Sequence, residues 1–202
     1  MMYQICVSGA AKGATIEQAR DQAKAAGKAI AEAGHTLMTG ATVGLPNIAA
    51  EAYKEAGGTM SVGISPASSK VEHVMKYRLP TQAYDVILYT GLHYVGRDTL
   101  LVTSSDAVVS IGGRIGTLHE FTIAMENGLP IGFIEGTGGI GEKIRDILNA
   151  ASGTRKDMVF FERDASILVE QLTAKLDEQK HRYYVERTER YINRTQQLDT
   201  AS

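Results

Sequence analysis

The chain has 202 residues, of which 44% are hydrophobic and 22% charged, with a formal net charge of −2; this suits one globular domain with its own core. The near-neutral charge argues against nucleic acid or an anionic membrane as partner. The one cysteine, Cys6, excludes a disulfide framework, and no apolar run approaches the ~20 residues of a membrane helix.

The first apolar run, 3–7, predicts a strand. No basic segment followed by an apolar stretch precedes it, so a cytoplasmic protein is expected. Residues 15–33 follow as one amphipathic helix, with Ile16, Ala19, Ala23, Ala26 and Ile30 on one face and Gly34 at its stop. Residues 35–39 predict a second strand, and 46–56 a helix with proline in its first turn and two glycines after its end. Residues 59–64 predict a third strand. The stretch 65–78 is irregular or partly helical. Then come a strand at 85–89, a short helix at 98–103, a β-branched strand from Ala107, and a helix carrying Leu118, Phe121 and Met125. A strand at 130–134, a helix near 140–150, a strand at 158–161 and a long helix from about Ala165 complete the chain.

Strands alternating with helices predict an α/β fold: a single Rossmann-like domain with a parallel sheet covered by helices on both faces. The domain should occupy residues 1–163. Residues 164–202 should form a C-terminal helix and tail, packed on the domain or on a dimer partner. The stripe Leu168, Leu172, Leu176 on that helix must be covered, and a homodimer is one way to cover it. Its end is basic and aromatic, with Arg182, Tyr183, Tyr184, Arg187, Arg190, Tyr191 and Arg194. Glu178, Glu186 and Glu189 interleave these charges, which suits a packing or subunit-contact helix better than a nucleic-acid patch.

Ligands of such sheets bind at the carboxyl ends of the strands. Gly112-Gly113-Arg114-Ile115-Gly116-Thr117 joins a strand to a helix there. The turn either needs positive φ and nothing more, or points amides and a helix N-terminus at a phosphate. Glu120, three residues after Thr117, fits a capping box; it equally fits a carboxylate beside a bound ligand. Arg97, read as opening its helix, runs against the helix dipole, a conflict that a ligand anion would relieve. Asp98 reads as an N-cap or first-turn dipole partner, and Asp106 as a turn or structural hydrogen-bonding residue. His93 and His119 are candidate proton carriers, though ordinary surface roles suit them as well. His35 and His73 show no metal spacing, so neither metal nor cofactor is called for.

The stretch 111–120 resembles the second motif of the LOG (Lonely Guy) proteins, Pro-Gly-Gly-x-Gly-Thr-x-x-Glu, with Ile111 where proline is usual. The stretch 90–98 resembles their Arg-Lys segment, with Asp98 in place of lysine, and 39–45 resembles their glycine-rich loop. The similarity spans roughly residues 3–161 and points to the poorly characterised branch near the molybdenum-cofactor carrier proteins. It implies a Rossmann-like sheet, usually a dimer, and hydrolysis of a nucleoside 5′-monophosphate, here a purine one, to free base and ribose 5-phosphate. Arg97 and Glu120 would be catalytic. Gly112, Gly113, Gly116 and Thr117 would bind phosphate, with Ser8, Gly9 and Gly40 completing the nucleotide site. The alternative is a non-catalytic carrier or sensor of a phosphorylated ligand, the molybdenum cofactor or a nucleotide, at the same edge.

Overall fold

Seven strands build one sheet: β1 (Gln4–Gly9), β2 (Thr36–Thr39), β3 (Ser61–Ser65), β4 (Val86–Tyr89), β5 (Ala107–Ile111), β6 (Ile131–Ile134) and β7 (Val159–Glu162). Every pairing is parallel, and the order is β4-β3-β2-β1-β5-β6-β7. The structure, a computed structural model, describes residues 1–151 and 155–199, with side chains as far as residue 183.

The helices are α1 (Thr15–Gln18), α2 (Arg20–Glu32), α3 (Leu45–Glu55), α4 (His93–Thr103), α5 (Ile115–Glu126), α6 (Ile144–Ala150) and α7 (Ala165–Asp199). Alternation along β1 sends Ile5 and Val7 to one face and Cys6 to the other. The first pair packs with Ala23, Ile30, Ala49 and Tyr53 of α2 and α3 and with α7. Cys6 joins Leu101 and Val102 of α4, Phe121 of α5 and Leu148 of α6. Both faces of the central strands are therefore buried, as a parallel sheet requires.

The α/β architecture is the predicted one. Several bounds differ by a residue or two, and three differences matter more. The helix predicted at 15–33 is two helices, broken at Ala19, whose φ of −112° and ψ of 14° leave the helical region; apolar spacing does not register such a break without a glycine or proline. The irregular stretch 65–78 contains one π-helical turn, Glu72–Lys76. The helix predicted from residue 98 starts five residues earlier, at His93.

The α7 stripe of Leu168, Leu172 and Leu176, with Val169, is buried against the chain's own sheet and α2. It leaves nothing for a partner to cover, so it supplies no argument for a dimer. The side chains of Tyr184, Arg187, Arg190, Tyr191 and Arg194 lie outside the described residues. Among the described residues, no helix is long and apolar enough to cross a membrane.

Candidate functional site

The strand order reverses between β1 and β5: the chain steps outward from β1 to β4, then returns to β5 beside β1 and steps the other way. Ligands of open parallel sheets bind at such a switch point, outside the carboxyl ends of the strands. Ser8 and Gly9 end β1, Gly40 follows β2, and the 112–117 turn follows β5. A cavity of about 240 Å³ opens among them.

Its floor carries Ser8, Arg97, Asp98 and Glu120, all of them buried. The Ser8 hydroxyl donates to the Glu120 carboxylate and lies 3.5 Å from the Thr117 hydroxyl. Asp98 joins two side chains: Oδ1 is 3.4 Å from Nη2 of Arg97, and Oδ2 accepts from Nδ1 of His119 at 3.2 Å. A carboxylate only accepts, so Nδ1 carries the imidazole proton. Burial, then the neighbouring Asp98 charge, pushes the Glu120 carboxyl up to about 7, against the opposing pull of Ser8 and Arg97. Burial and Glu120 together push the Cys6 thiol up, which makes it core and not nucleophile.

The rim carries Tyr94, Arg114 and Gly116, while buried Gly40 backs Arg97 on the floor. Here α5 begins. Gly112 and Gly113 have φ of +60° and +94°, a conformation that side chains with a Cβ resist. The Gly112 amide donates to the Thr137 hydroxyl at 2.8 Å, so it is committed to the fold. The first backbone bond of the helix runs from Leu118 N–H to Arg114 C=O at 3.0 Å. The amides of Ile115, Gly116 and Thr117 are thus left for an outside acceptor. The positive φ of Gly112 and Gly113 fits the turn reading, and the amides of 115–117 are the groups on which an anion-site reading rests.

Several expectations change. Thr117 is not an N-cap and Glu120 does not close a capping box: α5 starts at Ile115, its N-cap is Arg114, and no side chain caps it. Arg97 does not open α4 but lies in its second turn, and Asp98 binds Arg97 and His119 in place of capping. Early apolar positions were too few to reveal the first turn of α4. Ser8 lines the cavity but spends its hydroxyl on Glu120. Gly9 lets β1 pass β5 closely, where a Cβ would lie 2.8 Å from Ile111 O. A Cβ on Gly116 would meet nothing.

His93 is held on the surface by Tyr77, 2.8 Å away, outside the cavity. Asp106 accepts from the Gln4 amide at 2.7 Å, the structural role expected of it. His73 and His35 are hydrogen-bonded, to Ser65 and Thr173, and no metal-binding group of side chains occurs among the described residues. In the sequence Arg114 carries no signal beyond its place in the glycine turn, and Asp98 and His119 are unrelated positions; only the packing of α4 on α5 joins them. A second hollow of about 280 Å³ lies at the ends of β6 and β7. Its Arg145 is already occupied, 2.7 Å from Glu135 and stacked 3.8 Å over Phe161.

The SLOG cluster4 family model matches residues 2–179 of the chain. An uncharacterized protein of Archaeoglobus fulgidus is 34% identical over 127 residues, which are 63% of this chain and 76% of that protein. Among solved structures, the structural-genomics target TM1055 superposes with a TM-score of 0.70 at 27% identity, covering 84% of this chain and 99% of its own. The molybdenum cofactor carrier protein of Chlamydomonas reinhardtii superposes with a TM-score of 0.68 at 29% identity, covering 86% of this chain and 99% of its own.

Proposed function

The chain belongs to the SLOG cluster4 family, and on that premise we propose that it binds a phosphorylated small molecule at the switch point and holds it as a carrier does. The first candidate is the molybdenum cofactor, the cargo named for the Chlamydomonas protein, taken up in the cytoplasm. One observation carries the reading: the uncapped N-terminus of α5 faces a cavity whose floor holds Arg97, buried with its Nε unpartnered. Free amides at a helix start suit a phosphate, and a buried N–H left unpaired costs stability until an acceptor arrives. The small molecules that copurify with the protein test the proposal. A phosphorylated pterin with bound molybdenum is the expected outcome; a preparation free of any phosphorylated compound counts against it.

A second reading, hydrolysis of a nucleoside 5′-monophosphate, is favoured by the Glu120–Asp98 pair. Breaking an N-glycosidic bond builds positive charge on the ribose. Glu120, poised near neutrality, would give its proton to the departing base. Water would then add its hydroxyl to the sugar carbon and return a proton to Glu120, while Asp98 offsets the developing charge. Base release from AMP, followed by chromatography, tests this reading; the absence of free base above the uncatalysed rate rejects it.

A homodimer forms part of the proposal. Val86 and Leu88 on edge strand β4, Leu92 at the N-cap of α4 and Val95 and Leu100 within it are exposed. A cluster of that kind on a soluble domain marks a contact surface.

A further inference from the structure

Arg114 is the N-cap of α5, exposed, and on the rim of the cavity. A cation at that position opposes the helix dipole, which places positive charge at the same end. Helices usually relieve this with an acidic residue in the first turn or a side-chain cap; α5 has neither. Among the described residues, no carboxylate pairs with Arg114. The conflict that the sequence suggested at Arg97 is therefore present at Arg114 and is unrelieved.

Arg97 differs in every respect. It is buried, ion-paired with Asp98 and pressed against the backbone of Gly40. Its Nε is unpartnered and sealed from solvent, and the residue lines the same cavity. The two arginines thus mark two depths, one at the floor and one at the rim beside the free amides of α5.

We infer that Arg114, and not Arg97, is the arginine that grips the ligand's phosphate, together with the amides of Ile115, Gly116 and Thr117, while Arg97, paired with Asp98, shapes the cavity floor beneath them. The inference rests on the proposal that a phosphorylated molecule binds here. Arg114 is what selects a phosphate dianion: the guanidinium supplies a full charge and two parallel donors, and the helix start supplies partial charge and donors of its own. A neutral or singly charged group would leave much of that field unanswered.

Amide NMR of the full-length protein, titrated with inorganic phosphate, tests the assignment. The wild-type resonances of Gly113, Ile115, Gly116 and Thr117 should shift and saturate. Losing one charge-assisted contact weakens binding by ~10-fold or more, so Arg114→Gln should raise the apparent Kd by about that factor. Arg114→Lys, which keeps the charge but not the fork, should fall between, and Arg114→Glu should abolish the shifts. Because Arg114 is exposed, the rest of each spectrum should be unchanged. Wild-type affinity in both Arg114→Gln and Arg114→Glu would overturn the assignment while leaving a phosphate site at α5 standing. Wild-type shifts absent from residues 113–117 would overturn the binding proposal itself and the assignment with it.

Discussion

A Cβ placed on Gly40 would lie 2.5 Å from Cζ of Arg97, so the end of β2 and the second turn of α4 meet through a bare backbone and a guanidinium. The glycine is there for close approach. It presses the arginine into the cavity floor, where Asp98 holds it from the other side. Gly40→Ala should push the guanidinium out of place while the sheet, whose β2 ends one residue earlier, stays intact. The expected result is an unchanged circular-dichroism spectrum with ligand affinity reduced ~10-fold, roughly 1.4 kcal/mol. Unaltered affinity would show that the ligand does not use Arg97.

Gly113 has a different reason to be glycine. Its φ is +94°, and a Cβ would lie 2.6 Å from Cβ of Thr117. Gly113→Val combines that overlap with a backbone conformation costing on the order of 1–3 kcal/mol for a residue with a Cβ. In a chain of this size, thermal melting should fall by several degrees, and the phosphate-induced shifts at 115–117 should vanish. A variant that melts lower yet binds phosphate normally would separate the turn from the site.

Glu120 links the site to pH. Its carboxyl ionises near 4.5 when free and near about 7 in the folded protein, chiefly because it is buried. The folded state therefore holds the proton more tightly. The stability this confers is complete below the unfolded value and is lost as pH rises through about 7. At ~1.4 kcal/mol per unit the swing is roughly 3 kcal/mol. Glu120→Gln removes it. The variant's melting temperature should rise relative to wild type between pH 4.5 and 8, and equal offsets at the two pH values would refute the assignment. The same variant should release no base from AMP if wild type does, since the Gln amide has no acidic proton to transfer to the departing base.

Leu88 and Val95 test assembly. Both are exposed, one on edge strand β4 and one on α4. Light scattering at micromolar concentration should report a wild-type dimer, and Leu88→Asp with Val95→Asp should yield a monomer of unchanged secondary structure. A monomeric wild type would end the homodimer proposal.

The alternation of short apolar runs with helical spacing was enough to place all seven strands and to declare a parallel sheet, because each element's burial is written locally in period 2 or 3.6. The glycines at 112 and 113 likewise announced a turn that needs positive φ, a property of the backbone itself. Connectivity alone put the loops on one edge, since parallel strands send all their carboxyl ends the same way. What only the tertiary structure decided is which groups meet. Ser8 reaches Glu120 across more than a hundred residues of chain, Asp98 joins Arg97 to His119 through the packing of α4 on α5, and Arg114, not Thr117, heads the α5 helix. Spacing along one helix is a local quantity and can propose a capping box. The competing partner from β1 that takes the glutamate is brought in by the sheet order, and burial, which raises its proton affinity, belongs to the whole fold and to no stretch of sequence.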